Sequence, residues 1–228
     1  MHQSVDRSSV QMPTRDGRQT ILLVAGFVVA WWFWESAWLF PLRMLVVAAH
    51  EASHALAAVL TGGEVVEVGL DWREGGHALT RGGSSLLVMN AGYLGSMLWG
   101  LALLALTRGG RPARGLSVTL GIGLVAMGLA WVRPVASFGF VYAGLAGFAL
   151  VVVGWLGSHG VNRTLLRGVG LFSVLYAFLD IRDDVFLSGG VSDAALLAAA
   201  TGVPALVWGS LWCLVGVAVV RLAWSRIR

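Results

Sequence analysis

The chain has no lysine. All 16 of its basic residues are arginines, set against 12 acidic ones, for a formal net charge of +4. Charged residues make up only 12% of the 228 positions, about half of what soluble domains carry. With 57% hydrophobic residues and a mean hydropathy of +0.77, so little charge cannot cover a water-facing surface, and an ordinary soluble domain is excluded. The arginines stand between apolar blocks, where topology signals and headgroup contacts sit, so no nucleic-acid partner is expected. The single cysteine, Cys213, excludes an internal disulfide. No cleavable signal peptide is expected: residues 1–20 are polar, with Arg7, Arg15 and Arg18, and the apolar run that follows is too long for a signal. Residues 1–18 are expected to be a disordered tail ahead of one membrane domain, residues 19–228.

What is present in quantity is apolar sequence. A spanning helix needs about 20 such residues. Seven blocks qualify, near 20–40, 42–60, 84–107, 115–132, 135–157, 164–180 and 203–223, with Pro41 and Arg43 separating the first two. The expected fold is an all-α polytopic membrane protein with six or seven transmembrane helices, placed in a bacterial cell membrane. Two connections exceed a tight turn. In the first, Glu64–Leu70 is rich in β-branched residues and Gly75-Gly76 follows it, which predicts a β-hairpin directly after the second block. Residues 64–70 are expected to offer an edge strand for pairing with an extended substrate. The second connection, residues 181–202, reads as a polar, Gly-rich loop. Arg108, Arg111 and Arg114, then Arg163 and Arg167, then the arginines of the C-terminus mark three cytoplasmic segments.

Chemistry concentrates in the second block, which carries His50-Glu51-Ala52-Ser53-His54. On a helix, positions i and i+4 share a face. Both imidazoles can therefore reach one Zn²⁺ at about 2.0–2.1 Å, with Glu51 beside them as a general base for a metal-activated water. Three such residues in five positions are costly in hydrocarbon, about 2.5–3.5 kcal/mol for each charge, and a metal offsets that cost. A catalytic zinc takes a third protein ligand. Asp180, at the end of an apolar block, is the expected one, with Asp183 and Asp184 as alternatives. Ser53, Ser84, Ser85, Asn90 and Ser96 are candidates for a polar path. Asn90 serves either as a donor to a developing oxyanion or as an interhelical hydrogen-bond partner. Gly92, Gly95 and Gly100 permit close helix packing. His77 and His159 read as surface histidines.

The HEASH pentad with Ala55-Leu56-Ala57-Ala58, the following Thr61-Gly62-Gly63, Gly82-Gly83-Ser84 leading into Asn90–Ser96, and Leu179-Asp180-Ile181-Arg182-Asp183-Asp184 resemble the site-2-protease family of intramembrane zinc metallopeptidases, in its compact bacterial branch without a PDZ domain. The resemblance covers residues 40–187. It implies a helical membrane fold, cleavage of membrane-spanning substrate helices, His50, His54 and Asp180 as zinc ligands, and Glu51 as base. Ile181 stands where many members have glycine. Two other functions use the same residues: a non-catalytic metal-binding scaffold, and a transporter with His50, Glu51 and Asp180 on an ion path.

Overall fold

The computed structural model describes residues 25–26, 28–29, 31–34, 36–73, 75–108, 112–187 and 192–227. The tail expected at 1–18, and part of the first apolar block, lie outside them. Seven α-helices and one hairpin follow in order: α1 (Phe40–Leu60), β1 (Glu64–Leu70), β2 (Gly76–Arg81), α2 (Ser85–Leu106), α3 (Ala113–Trp131), α4 (Phe138–Leu156), α5 (His159–Arg182), α6 (Asp193–Thr201) and α7 (Ala205–Ile227).

Pro41 does not divide two blocks. It occupies the first turn of α1, where a helix has no use for the missing N–H. Serine side chains start three of the spans: Ser84, Ser137 and Ser158 accept from the backbone N–H groups of Leu87, Phe140 and Val161. The Ser158 cap starts α5 five residues before its apolar run. At its other end α5 passes into a π-helical turn, Asp183–Leu187, and α6 follows within the segment expected to be a loop.

Among the described residues, five helices are long and apolar enough to cross a membrane: α2, α3, α4, α5 with its π-turn, and α7 up to Leu222. Helix α1 has the length, but Arg43, His50, Glu51 and His54 dilute its hydropathy. All four are buried, so α1 runs inside the bundle rather than against lipid. One apolar core joins α1, the hairpin, α3 and α4 through Met44, Val47, Val68, Leu124 and Ala143. A second joins α2, α5, α6 and α7 through Tyr93, Met97, Ile181, Leu197 and Trp212.

The hairpin is antiparallel, with a bulge between Val65 and Glu67. Its inner strand is β1. Val68 bridges to Val132 on the side away from β2, and the Arg133 N–H donates to the Val68 carbonyl at 3.2 Å. The far edge of β1 is thus taken up at Val68, while among the described residues no strand pairs with the outer edge of β2.

Glycine sets the contact between α3 and α4. A Cβ on Gly121 of α3 would lie 2.5 Å from the Gly147 carbonyl oxygen of α4, and one on Gly147 would lie 2.7 Å from that of Gly121. A backbone oxygen cannot move aside as a side chain can. Gly121→Leu is expected to force α3 and α4 apart and to lower the thermal midpoint in detergent by about 5–10 °C. Gly144→Leu, with nothing within 4 Å of its Cβ, should leave the midpoint in place.

Candidate metal centre

Residues 50 and 54 lie one turn apart on α1, and their rings sit edge to face at 4.9 Å between centroids. Each ring is oriented through its Nδ1. That of His54 donates to the Val88 carbonyl on α2 at 2.7 Å. That of His50 faces Ser96 Oγ at 3.3 Å and Asp180 Oδ2 at 3.5 Å. Both Nε2 atoms are left turned to a common point. There they meet Asp193 Oδ2, 2.9 Å from His54 Nε2 and 3.5 Å from His50 Nε2. One donor atom from each of the three residues lies within 4.8 Å of the others.

These separations fit a shared cation. Tetrahedral zinc with ligands at 2.0–2.1 Å sets its donors roughly 3.4 Å apart. The shape of the space agrees. A Cβ on Gly92 would fall 2.2 Å from His50 Nε2 and 2.4 Å from His54 Nε2. Only a residue without a side chain leaves room in front of the two nitrogens. Asp193 stands on α6, outside the spanning helices. Burial acts to raise its carboxyl, but hydrogen bonds from His50 and His54 outweigh that and hold it at about 2, ionised and ready to bind a cation.

The other acidic residues are placed apart from that point. Asp180 lies behind His50, at Nδ1, one turn along α5 from Tyr176. Asp184 accepts from Tyr93 Oη. Asp183 turns outward and pairs with Arg182, Nη2 to Oδ1 at 2.6 Å. Tyr93 and Tyr176 both present their edges to the His50 ring at 5.5 Å. The two tyrosines thus wall His50 and tie it to the carboxylates at the end of α5. Sequence reading passes over both, because each falls within an apolar run.

Glu51 is buried, 5% exposed, on the same turn. The hairpin reaches it where β2 begins: a Cβ on Gly76 would lie 2.6 Å from Glu51 Oε1. Asn90 is committed elsewhere. Its Oδ1 accepts from Trp212 Nε1 at 2.7 Å and its Nδ2 donates to the Leu86 carbonyl at 2.8 Å, which is the interhelical role. Ser53 bonds back to the Ala49 carbonyl and accepts from Trp99, and Ser84 caps α2. Of the polar residues expected along a path, Ser96 is the one in contact with a metal-facing histidine. His77 lies on the hairpin with an exposed side chain, 3.4 Å from Glu67, and His159 opens α5.

An apolar bundle with five helices of spanning length is a multi-pass membrane protein, and its inward-facing His–His–Asp cluster is of the kind that holds a metal. Residues 23–223 match the model of the family described as Peptidase M50B-like, and the chain belongs to that family, a site-2-protease family of metallopeptidases. No curated protein and no solved structure matches the chain.

Proposed function

We propose that the protein is an intramembrane zinc metalloprotease of the bacterial cell membrane that hydrolyses peptide bonds of membrane-spanning substrates. The observation that carries this reading is the meeting of His50 Nε2, His54 Nε2 and Asp193 Oδ2 beside a buried Glu51. Two imidazoles and a carboxylate are a donor set of catalytic zinc sites. The third ligand in this reading is Asp193 rather than Asp180, Asp183 or Asp184. Asp180 has the part of the carboxylate that orients a ligand histidine.

A bound zinc supplies a Lewis acid and lowers the pKa of water. The remaining work falls to the chain. The Val88 carbonyl and Asp180 fix the histidine rings. Glu51, held against the first residue of β2, takes the proton of the attacking water and passes it to the leaving amine. The open edge of β2 pairs with the unwound substrate strand and brings its scissile peptide bond beside Glu51 and the histidines. In this reading α1 also crosses the bilayer, shielded by its neighbours, for six spans among the described residues.

Glu51→Gln tests the reading, because it keeps the size of the side chain and removes the base. The purified variant is expected to keep about one zinc per chain and to cleave a transmembrane reporter about 10²–10⁴-fold more slowly than wild type. Wild type without bound metal, or a variant with undiminished turnover, overturns it.

A further inference from the structure

On α1 the histidines face one way and a cavity lies on the other side. Leu45, Ala49, Ala52 and Leu56 recur every three to four residues, a helical face roughly opposite to that of His50 and His54. This face, with α2, α3 and α5, bounds a cavity of about 520 Å³. Small residues open it: Gly123 and Ala126 of α3 stand on its wall, and a Cβ on Gly123 would meet nothing within 4 Å.

Size and lining restrict what enters. An apolar cavity does not hold water. A spanning helix, a cylinder about 10 Å wide and 30 Å long, needs on the order of 2,000 Å³ and does not fit. A single hydrocarbon chain fits, and the bilayer supplies it.

Charge at one end says which lipid. Leu103, Leu116 and Leu166 line the cavity; Arg163 and Arg167 stand three residues and one residue from Leu166 on α5, and Arg108 follows Leu103 by five residues, just past the end of α2. Arg163 and Arg167 share a face of α5 at i and i+4, and Arg167 lies within electrostatic reach of both Arg163 and Arg108. No aspartate or glutamate occurs anywhere between residues 75 and 179. Arg167 donates to the Thr107 carbonyl at 3.5 Å, and Arg114 binds the carbonyls of Gly154 and Trp155. Mutually repelling cations beside an apolar cavity match the two parts of one molecule, a phosphate and an acyl chain.

We infer that this cavity is a binding site for an acyl chain of an anionic phospholipid, whose phosphate is held by Arg108, Arg163 and Arg167 at its rim. The site is separate from the metal centre, and the inference rests only on the chain spanning a membrane.

The experiment is native mass spectrometry of the full chain, released from vesicles of equal phosphatidylglycerol and phosphatidylcholine with matched acyl chains. Wild type is expected to retain one phosphatidylglycerol at about tenfold preference. The double variant Arg108→Gln, Arg163→Gln should bring the preference to near unity. Gly123→Leu should lose the retained lipid, with thermal midpoint and metal content unchanged. Ala126→Leu, on the same wall, repeats that test if Gly123→Leu does not fold. Equal retention of the two lipids by wild type overturns the inference, since the arginines are then topology signals only. So does an undiminished phosphatidylglycerol adduct in a folded cavity-filling variant, because the lipid then sits on the surface.

Discussion

Gly92→Ala is expected to strip the metal from an otherwise folded protein. The added methyl carbon would occupy the point on which both Nε2 atoms converge, 2.2 Å and 2.4 Å from them. The rings have little room to retreat. His54 is tied by its Nδ1 to the Val88 carbonyl, and His50 is walled by Tyr93 and Tyr176. A bound cation and the methyl group exclude each other, so zinc content after gel filtration should fall from about one per chain to background. Gly144→Ala, where a Cβ meets nothing within 4 Å, should retain the metal in full. Full zinc occupancy in Gly92→Ala would show that the metal sits elsewhere.

A comparison of two aspartates separates ligand from orienting group. Asp193→Ala removes the only carboxylate at the Nε2 atoms among the described residues. Asp180→Asn keeps a hydrogen-bond acceptor at His50 Nδ1 but not the charge. Loss of an orienting partner costs about 10–100-fold in metal affinity, and loss of a ligand should exceed that range. Competition with a chelator of known affinity measures both. The expected order is wild type, then Asp180→Asn, then Asp193→Ala far behind. The reverse order would return the ligand role to Asp180 and make Asp193 a substrate-side group.

Why one aspartate is visible in the sequence and the other is not has a physical reason. Asp180 ends an apolar block, so its cost in hydrocarbon draws notice. Asp193 follows a Gly-rich stretch that reads as a connection. The signal that could have found it is local: Ser192 ahead of Ala194–Ala200 is an N-cap before an apolar run, and Ser192 Oγ does accept from the Ala195 N–H. The metal-facing turn of α1 was legible because a helix places i and i+4 together whatever surrounds it. The hairpin was legible from its paired glycines and β-branched strand. Which of its edges stays open was not, since that depends on Val132 and Arg133 arriving from the far end of α3. Asn90 illustrates the same boundary. Its amide suits several roles, and only Trp212, contributed by α7, decides between them.

The split of the cluster between α1 and α6 bears on biogenesis. Four membrane-crossing helices separate His50 from Asp193 in the chain. A ribosome adding ~5–20 residues each second takes on the order of ten seconds to pass from one to the other. Throughout that interval the nascent chain holds two histidines and a glutamate but lacks the third donor. In the proposed reading, the enzyme thereby lacks its full ligand set until its own insertion is nearly finished.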